Sequence, residues 1–483
     1  MNKGRLRQCH AAMAGGFGSL VMGALNVWPS YTSELYASNT TTPLSAPMTK
    51  GEEALLGSLP SLGAILGSAV AGTLINMFGR RNGGVILSLP CVMSWAIIGV
   101  ASSMNLILAA RFLSGITGGS FLVLTPIFIS EVAEDAIRGG LASASIFLYC
   151  TGTLLSYIVG WCLTYRTIIW LHLLLSVLCT LLILLVVESP VYLLRQKREE
   201  DAREAIAKYR GVPVSSMVVL DELTRMKQQI MPAVELVSIT DMDPKAEEAE
   251  KQKLNNEEDI VQEQPKAMSP IKLLFVSPVS RQAFIVVMTV ITMQVFMGIV
   301  PVQVYAKTVF TETDPSKSDL YTVVFAVILF LGALTSTLVA DKAGRRILII
   351  ISSILVFLCM VSLGFLLQTR MAPAWLTVVL LMMYCFCFII GAGSIPYVLL
   401  AEVFESQVQG LGSMIVIEWV WFLNFFILGI FPYMLSALKI HGAFYFFGAM
   451  SLLNAILAFI LVPETKGLSN AQIQDLFRSR KKN

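Results

Sequence analysis

The chain alternates long apolar runs with short polar segments, and the length of the runs sets its structural class. Twelve runs are nearly free of charge and about 20 residues long, the length that crosses a bilayer as an α-helix. We number them spans 1 to 12 in chain order: residues 12–30, 55–77, 84–103, 108–129, 141–162, 167–187, 282–306, 321–340, 347–367, 375–401, 411–433 and 442–462. Ten of the twelve contain no Asp, Glu, Lys or Arg. The pattern predicts an all-α membrane protein with twelve transmembrane helices.

Composition points to the same class. Hydrophobic residues make up 55% of 483 positions and charged residues 14%, more apolar surface than a soluble chain can bury in one or two cores. Lys3, Arg5 and Arg7 precede span 1 as in a signal peptide, but the eleven spans that follow favour a retained first helix. Most of the eight cysteines lie inside spans, so we expect no disulfide framework.

The distribution of charge predicts the orientation. Twelve spans place both termini on one side, which we take first as the cytoplasm. Of the 35 Lys and Arg residues, seven then face outside and 14 lie in the short inner segments, in keeping with the positive-inside rule. The one N-glycosylation acceptor, Asn39-Thr40-Thr41, falls in the first outer loop. We therefore expect both termini in the cytoplasm.

One long polar segment divides the chain into residues 1–187, 188–281 and 282–483: a six-helix half, a cytoplasmic central loop, and a second six-helix half with a cytoplasmic tail. Arg195 to Arg225 mixes charges with Ala and Leu and predicts short surface helices. Asp241 to Pro265 is rich in Glu, Lys and Asn, so it predicts a flexible linker. Acidic residues interleave with basic ones throughout, so we expect no nucleic-acid partner.

The two halves repeat a set of polar landmarks. The landmarks keep their order, at offsets of 265, 271 and 276 residues: Gly79-Arg80-Arg81 with Gly344-Arg345-Arg346, Glu131 with Glu402, and Glu188 with Glu464. Parallel six-helix repeats place a substrate site near the middle of the membrane between the halves. The repeat therefore predicts a carrier that works by rocking one half against the other.

The landmarks belong to longer motifs that resemble the sugar-porter branch of the major facilitator superfamily. These motifs are Asn76 to Arg81, Asp341 to Arg346, Glu188-Ser189-Pro190, Pro463 to Gly467, and Arg111 to Gly115 leading to Pro126 and Glu131. The run Gly18 to Gly23 also resembles insect trehalose and sugar carriers. The resemblance implies the major facilitator fold and uniport of a hexose or a disaccharide such as trehalose across the plasma membrane. The sequence has no nucleotide loop, metal cluster or nucleophile constellation, so we expect neither an enzyme nor a cofactor.

The resemblance implies a latch of charged residues at the inner face. Carboxylates at helix ends can form bidentate bonds with guanidinium groups, and these bonds would close the inner gate. The candidates are Arg80, Arg81, Glu131, Arg138, Glu188, Asp341, Arg345, Arg346, Glu402 and Glu464. Charges that only set the topology are the alternative. Asn76 and Gln409 stand where the family usually has Asp and Arg, so this latch would be weaker.

The resemblance also implies a substrate pocket, but this pocket is unusually apolar. The candidates are Gln294, Tyr305, Tyr397, Trp421 and Asn424. Ile146, Val295, Val300 and Leu329 replace amides that the family uses to bind sugar hydroxyls. Two alternatives therefore stay open: a carrier for a less polar solute such as a glycoside, and a transporter-like sensor. The aromatic residues also fit lipid contact or core packing.

Two spans contain an intramembrane charge. Arg111 lies at the outer end of span 4, where proton-coupled members of the family pair an Arg with an acid on span 1. Span 1 has no acid here, only Leu25 and Asn26 near that place, which favours uniport. Glu418 lies inside span 11 and is a functional candidate because intramembrane acids are costly. A bond to a neighbouring helix or a position near the interface is its alternative.

The orientation is testable through Asn39. We expect a secretory host to glycosylate this residue, and tags at both termini to be reachable only after the cells are permeabilised. Asn39→Gln should remove the sugar without changing surface expression. Labelling of either terminus on intact cells would show that the orientation is inverted.

Overall fold

The computed structural model describes residues 3–230, 270–371, 373–468 and 470–479. Every regular element in these ranges is helical. The predicted linker from Asp241 to Pro265 lies outside the described residues. The face that carries Lys3 is called the inner face below, and the face that carries Asn39 the outer face.

Ten described helices are long and apolar enough to cross a membrane. Spans 1, 4, 5, 6, 8 and 9 are the helices Lys3–Ala37, Met104–Val132, Asp135–Cys162, Tyr165–Leu184, Ser318–Ala343 and Arg345–Thr369. Spans 2 and 3 form one helix, Lys50–Val100, that turns at Gly79, and spans 11 and 12 form another, Ser406–Leu461, that turns at Lys439. Each of these two crosses twice, so the described helices make the twelve crossings that the pattern predicts.

Spans 7 and 10 are interrupted. Span 7 consists of Pro278–Phe296 and Ile299–Val304, followed by a short helix Ala306–Thr311. It breaks at Gly298, whose φ of +86° suits glycine and whose Cβ, if present, would lie 2.4 Å from the Phe447 ring. Span 10 consists of Ala374–Phe388, a π-helical stretch Ile389–Gly393, and Ile395–Glu402. Backbone groups freed at such breaks need partners inside the protein, because lipid supplies none.

Besides Ala306–Thr311, the described residues form five short helices outside the spans: Pro190–Arg195, Glu199–Arg210, Met217–Ile230, Pro270–Val276 and Asn470–Ser479. Glu199–Arg210 and most of Met217–Ile230 fall in the stretch Arg195 to Arg225, for which the sequence predicts surface helices, and they are bonded to the first half. Gln8 donates to the Tyr209 carbonyl (2.8 Å), and the Tyr209 hydroxyl donates to the Val187 carbonyl (2.5 Å). Arg210 forms an ion pair with Glu222. The segment after span 6 therefore forms an inner layer beneath spans 1 to 6.

Close helix packing in the first half depends on glycine. A Cβ on Gly63 of span 2 would lie 2.0 Å from the Phe112 carbonyl oxygen, and one on Gly115 of span 4 would lie 2.0 Å from the Pro60 carbonyl oxygen. Spans 2 and 4 therefore touch backbone to backbone, as helices with small residues do in membranes. This contact brings Arg111, which lies one turn before Gly115, close to the backbone of span 2.

Candidate functional site

A cluster of polar side chains joins spans 2, 4 and 6 at the inner face. Arg80 donates to both oxygens of Glu131, from Nη2 (2.6 Å) and Nε (2.7 Å), and both side chains are nearly buried. Ser189 Oγ also donates to Glu131 (2.6 Å). Glu188 accepts from the backbone N–H groups of Arg80 (2.8 Å), Arg81 (3.2 Å) and Ser189 (2.8 Å). Burial raises the pKa of Glu188, and these N–H donors oppose that rise. We call this set the first inner cluster.

The second half repeats this arrangement. Arg345 Nη2 donates to Glu402 Oε1 (2.8 Å), and Thr465 Oγ1 donates to Glu402 Oε2 (2.7 Å). Glu464 accepts from the backbone N–H groups of Arg345 (2.8 Å) and Arg346 (3.2 Å). We call Arg345, Glu402, Glu464 and Thr465 the second inner cluster. The repeat that the sequence shows as spacing is thus a repeat of hydrogen-bond partners.

The glycine of each repeated motif is needed where it stands. Gly79 and Gly344 have φ of +93° and +91°. A Cβ at these positions would lie 2.2 Å from Glu188 Oε2 and 2.7 Å from Glu464 Oε2. Glycine therefore permits the turn between two spans and leaves room for the carboxylate that caps the next helix.

The named contacts of both clusters stay inside one half. Arg81 Nε donates to the Leu184 carbonyl (2.7 Å), and Arg346 Nη2 to the Phe459 carbonyl (2.6 Å). Arg138 Nη2 donates to the Ala133 carbonyl (3.2 Å). The side chain of Asp341 lies outside the described residues. The described contacts of these candidates thus join residues of one half, and the pairing between the halves that the sequence predicts stays a prediction.

Ser189 and Thr465 are members of the clusters that the sequence reasoning missed. Each follows directly after the glutamate of its motif, in Glu188-Ser189 and Glu464-Thr465. A hydroxyl at the same place in both halves is a signal that the spacing alone could have supplied.

The two halves are joined by hydrogen bonds near the outer face, which we call the outer seam. Its bonds are Lys307 N–H to Ser30 Oγ (2.8 Å), Tyr305 hydroxyl to the Glu53 carbonyl (3.2 Å), Tyr157 hydroxyl to the Gln303 carbonyl (2.5 Å) and Lys50 Nζ to Ser436 Oγ (3.0 Å). Tyr305 is only 1% exposed, and its ring lies 5.3 Å from that of Phe431. In this conformation Tyr305 therefore belongs to the seam, and its ring is not open to a ligand.

The other pocket candidates lie deeper and have unused polar atoms. Gln294 Nε2 donates to the Gly393 carbonyl at the break in span 10 (2.8 Å), which leaves Oε1 buried without a described partner. Asn424 Oδ1 and Trp421 Nε1 are also buried without one. Trp421 and Asn424 are three residues apart and so share a helix face. Tyr397 is 43% exposed and lies beside Gln294. Two acceptors and one donor therefore lack a described partner, and because they are buried in this conformation a molecule could bind them only after the surrounding helices move.

Helices of spans 1 and 5 are joined by polar side chains that the sequence reasoning did not pair. Asn26 Nδ2 donates to the Tyr149 hydroxyl (3.0 Å), and the Tyr31 hydroxyl lies 2.9 Å from Ser156 Oγ. Tyr149 also lies close enough to Tyr397 of the second half for the two to interact electrostatically. Nothing in the spacing of these residues marks them, because their grouping depends on how spans 1 and 5 pack.

Arg111 is buried and bonded to backbone rather than to a carboxylate. Its Nη1 donates to the Leu25 carbonyl (2.7 Å) and its Nε to the Leu56 carbonyl (3.0 Å). Four residues after each carbonyl stands a proline inside a helix, Pro29 and Pro60, which has no N–H to close the helical bond. Arg111 thus satisfies two carbonyls that proline frees in two different spans. Its guanidinium also lies 5.6 Å from the Trp28 ring centroid.

The same device recurs in the second half. The Met297 carbonyl, which the break at Gly298 leaves without a helical bond, accepts from the Tyr384 hydroxyl (3.0 Å). Pro432 frees the Leu428 carbonyl, which lies 3.5 Å from the Tyr305 hydroxyl. Side-chain donors therefore sit where the helices are broken.

Comparisons with known proteins agree with this architecture. A family model described as "Sugar (and other) transporter" matches residues 8–241 and 235–477. The chain is 27% identical to the facilitated glucose transporter member 8 of solute carrier family 2 from Bos taurus, over 88% of this chain and 85% of the relative. It is 26% identical to a facilitated trehalose transporter Tret1-2 homolog of Drosophila sechellia, over 97% of this chain and 90% of the relative.

A solved structure has the same fold. The inward-open xylose transporter XylE from E. coli superposes with a TM-score of 0.74 over 96% of this chain and 98% of its own. The two sequences are 22% identical, so this likeness is one of fold.

The role of Arg111 can be tested against the prolines. Arg111→Leu should lower the free energy of unfolding in detergent by about 1–3 kcal/mol for each carbonyl that loses its donor. Pro29→Ala restores an N–H to the Leu25 carbonyl, so Arg111→Leu should cost about that much less in this background, and likewise with Pro60→Ala. Pro90→Ala, whose freed carbonyl has no bond to Arg111, is the control and should be additive. Additivity in all three backgrounds would disprove this role.

Proposed function

We propose that this chain, which belongs to the sugar (and other) transporter family, carries a sugar down its concentration gradient by alternating access. The family consists of membrane transporters rather than enzymes. The solute we favour is a hexose or a disaccharide such as trehalose. The relatives' names mention glucose and trehalose, and that of the structural neighbour mentions xylose. We place the carrier in the plasma membrane with both termini in the cytoplasm.

The observation that carries this proposal is the set of unused polar atoms on spans 7 and 11. Gln294 Oε1, Asn424 Oδ1 and Trp421 Nε1 are buried without described partners. A buried acceptor or donor that stays unpaired costs about 1–3 kcal/mol, so a site of this kind favours a ligand that completes its bonds. Sugar hydroxyls can both donate and accept. Tyr397 and Trp421 supply flat faces for the apolar side of a sugar ring.

The partners of Arg111 support uniport. The guanidinium group of this residue donates to two backbone carbonyls, and no described carboxylate takes part in its hydrogen bonds. Backbone carbonyls do not titrate. The outer end of span 4 thus lacks the acid–base pair through which a proton gradient would drive the solute uphill.

The inner clusters support rigid-body rocking of the halves. Each cluster ties the inner ends of several spans into one unit, through charge-assisted bonds that are nearly buried. On this basis we assign the gating role to Arg80, Arg81, Glu131, Glu188, Arg345, Arg346, Glu402 and Glu464, and we assign it to Arg138 and Asp341 from the family resemblance alone. They keep each half stiff while the outer seam opens and closes.

A less polar solute, such as a glycoside, is the second candidate. Ile146 of span 5 is 57% exposed although the family usually has an amide there. Val295, Val300 and Leu329 also offer no hydrogen bond to a hydroxyl. The four positions therefore offer fewer hydrogen bonds to sugar hydroxyls than the amides that the family usually has there.

The transport mode is tested by uptake of labelled glucose, trehalose and xylose in cells that lack carriers of their own. We expect saturable uptake of at least one sugar that a protonophore does not change. Accumulation against a gradient that collapses with the proton gradient would show that the carrier is a symporter.

Four variants measured with one confirmed substrate separate the two solute classes. For a sugar, Gln294→Ala and Asn424→Ala each remove bonds worth about 0.5–1.5 kcal/mol. They should lower apparent affinity about 2- to 12-fold per bond, at unchanged surface expression. For a less polar solute, Trp421→Ala and Tyr397→Ala should have the larger effect. Near-neutral results for all four would show that the pocket lies elsewhere.

A further inference from the structure

Glu418 forms a bond between the two halves inside the membrane. It lies on span 11, and its Oε1 is 2.7 Å from Ser68 Oγ on span 2. Ser68 lies 18 residues after Lys50, where its helix begins near the outer face, about 27 Å along the helix at 1.5 Å per residue. This bond between the halves therefore lies deeper in the membrane than the bonds of the outer seam. The bond joins one helix of each half, so any motion that separates spans 2 and 11 breaks it.

Counting hydrogens at Ser68 shows which form of Glu418 fits. Ser68 Oγ is 2.7 Å from the carboxyl group and also 2.7 Å from the Ala64 carbonyl oxygen. A hydroxyl has one proton, so a serine that donates to an ionised Glu418 leaves two acceptors facing each other across 2.7 Å at Ala64. A neutral carboxyl group donates to Ser68, which donates in turn to Ala64. Only this arrangement places a hydrogen in both short contacts.

The second oxygen of Glu418 leads to the same conclusion. Oε2 is buried and has no hydrogen-bond partner among the described residues. An ionised carboxylate would leave negative charge on this atom without a donor, which is far more costly in a membrane interior than an unpaired neutral oxygen.

No described cation offsets such a charge. The charged residues of the helices that pack against the helix of span 11 lie near the ends of those helices: Lys50, Glu52, Glu53, Arg80 and Arg81 on span 2, Lys272 on Pro270–Val276, Arg281 on span 7, Arg345 and Arg346 on span 9, and Glu402 on span 10. Arg80 is paired with Glu131, and Glu402 with Arg345. Tyrosines and cysteines on these helices are neutral at physiological pH.

We propose that Glu418 is a proton-binding residue of this carrier. In the conformation described it is neutral and joins span 11 to span 2. When its proton passes to water, the carboxylate loses its place against Ser68, and the two spans separate. This inference rests on the proposed function only in that the separation belongs to the transport cycle. The proton controls how fast the halves exchange conformations and does not drive the solute.

Infrared spectroscopy of the purified protein tests the protonation without any solute. At neutral pH we expect a carbonyl stretch from a protonated carboxyl group that Glu418→Gln loses and that the matched control Glu53→Gln retains. Ser68→Ala keeps the carboxyl group but removes its partner, so it should shift the band. Spectra of Glu418→Gln and wild type that agree in this region would overturn the proposal.

Equilibrium exchange of a transported sugar at a series of pH values tests the consequence. The rate of sugar exchange should change with pH in the wild type and in Glu53→Gln. In Glu418→Gln, which mimics the neutral acid, this rate should no longer depend on pH. An unchanged pH profile in Glu418→Gln would refute the control of exchange by Glu418. Absence of exchange in every variant, with the infrared band present, would refute the proposed function and leave the proton site intact.

Discussion

The fold depends on one constraint: the membrane interior offers no hydrogen bonds, so each polar group inside the spans needs a partner from the protein. Prolines at positions 29, 60 and 432 and the break at Gly298 each release a backbone carbonyl, and Arg111, Tyr305 and Tyr384 lie within reach of those carbonyls. The breaks that let the helices bend are therefore also the points at which they are tied together. Arg111 connects three spans in this way, which explains how a buried charge can stay without a carboxylate partner.

The same constraint divides the molecule into rigid and movable contacts. The inner clusters are dense, charge-assisted and confined to one half, so they resist separation. The outer seam consists of single hydrogen bonds, most of them to backbone atoms or hydroxyls, and each crosses between the halves. Contacts of the second kind break at lower cost than those of the first. The distribution of bond types therefore favours motion of whole halves over changes within them.

Much of this architecture could be predicted from the sequence because it depends on local pattern. Apolar run length gives the twelve crossings, and the matched offsets identify which charged residues play equal parts in the two halves. Whether each arginine pairs within its own half or across the two halves could not be predicted. Arg80 pairs with Glu131 of its own half because spans 2 and 4 pack against each other. Ser68 and Glu418 are 350 residues apart, and only the register between spans 2 and 11 brings them together. Tyr305 fits a pocket by its position in span 7, yet packing against Phe431 places it in the seam.

Alternating access between two rigid halves is most directly tested by counterflow in proteoliposomes. Vesicles loaded with an unlabelled sugar, chosen from glucose, trehalose and xylose, are diluted into a trace of the same labelled sugar. A carrier that exchanges its solute through one site at a time should accumulate the label transiently above its equilibrium level, and empty vesicles should not. Equal uptake by loaded and empty vesicles, with the purified protein folded, would contradict the account.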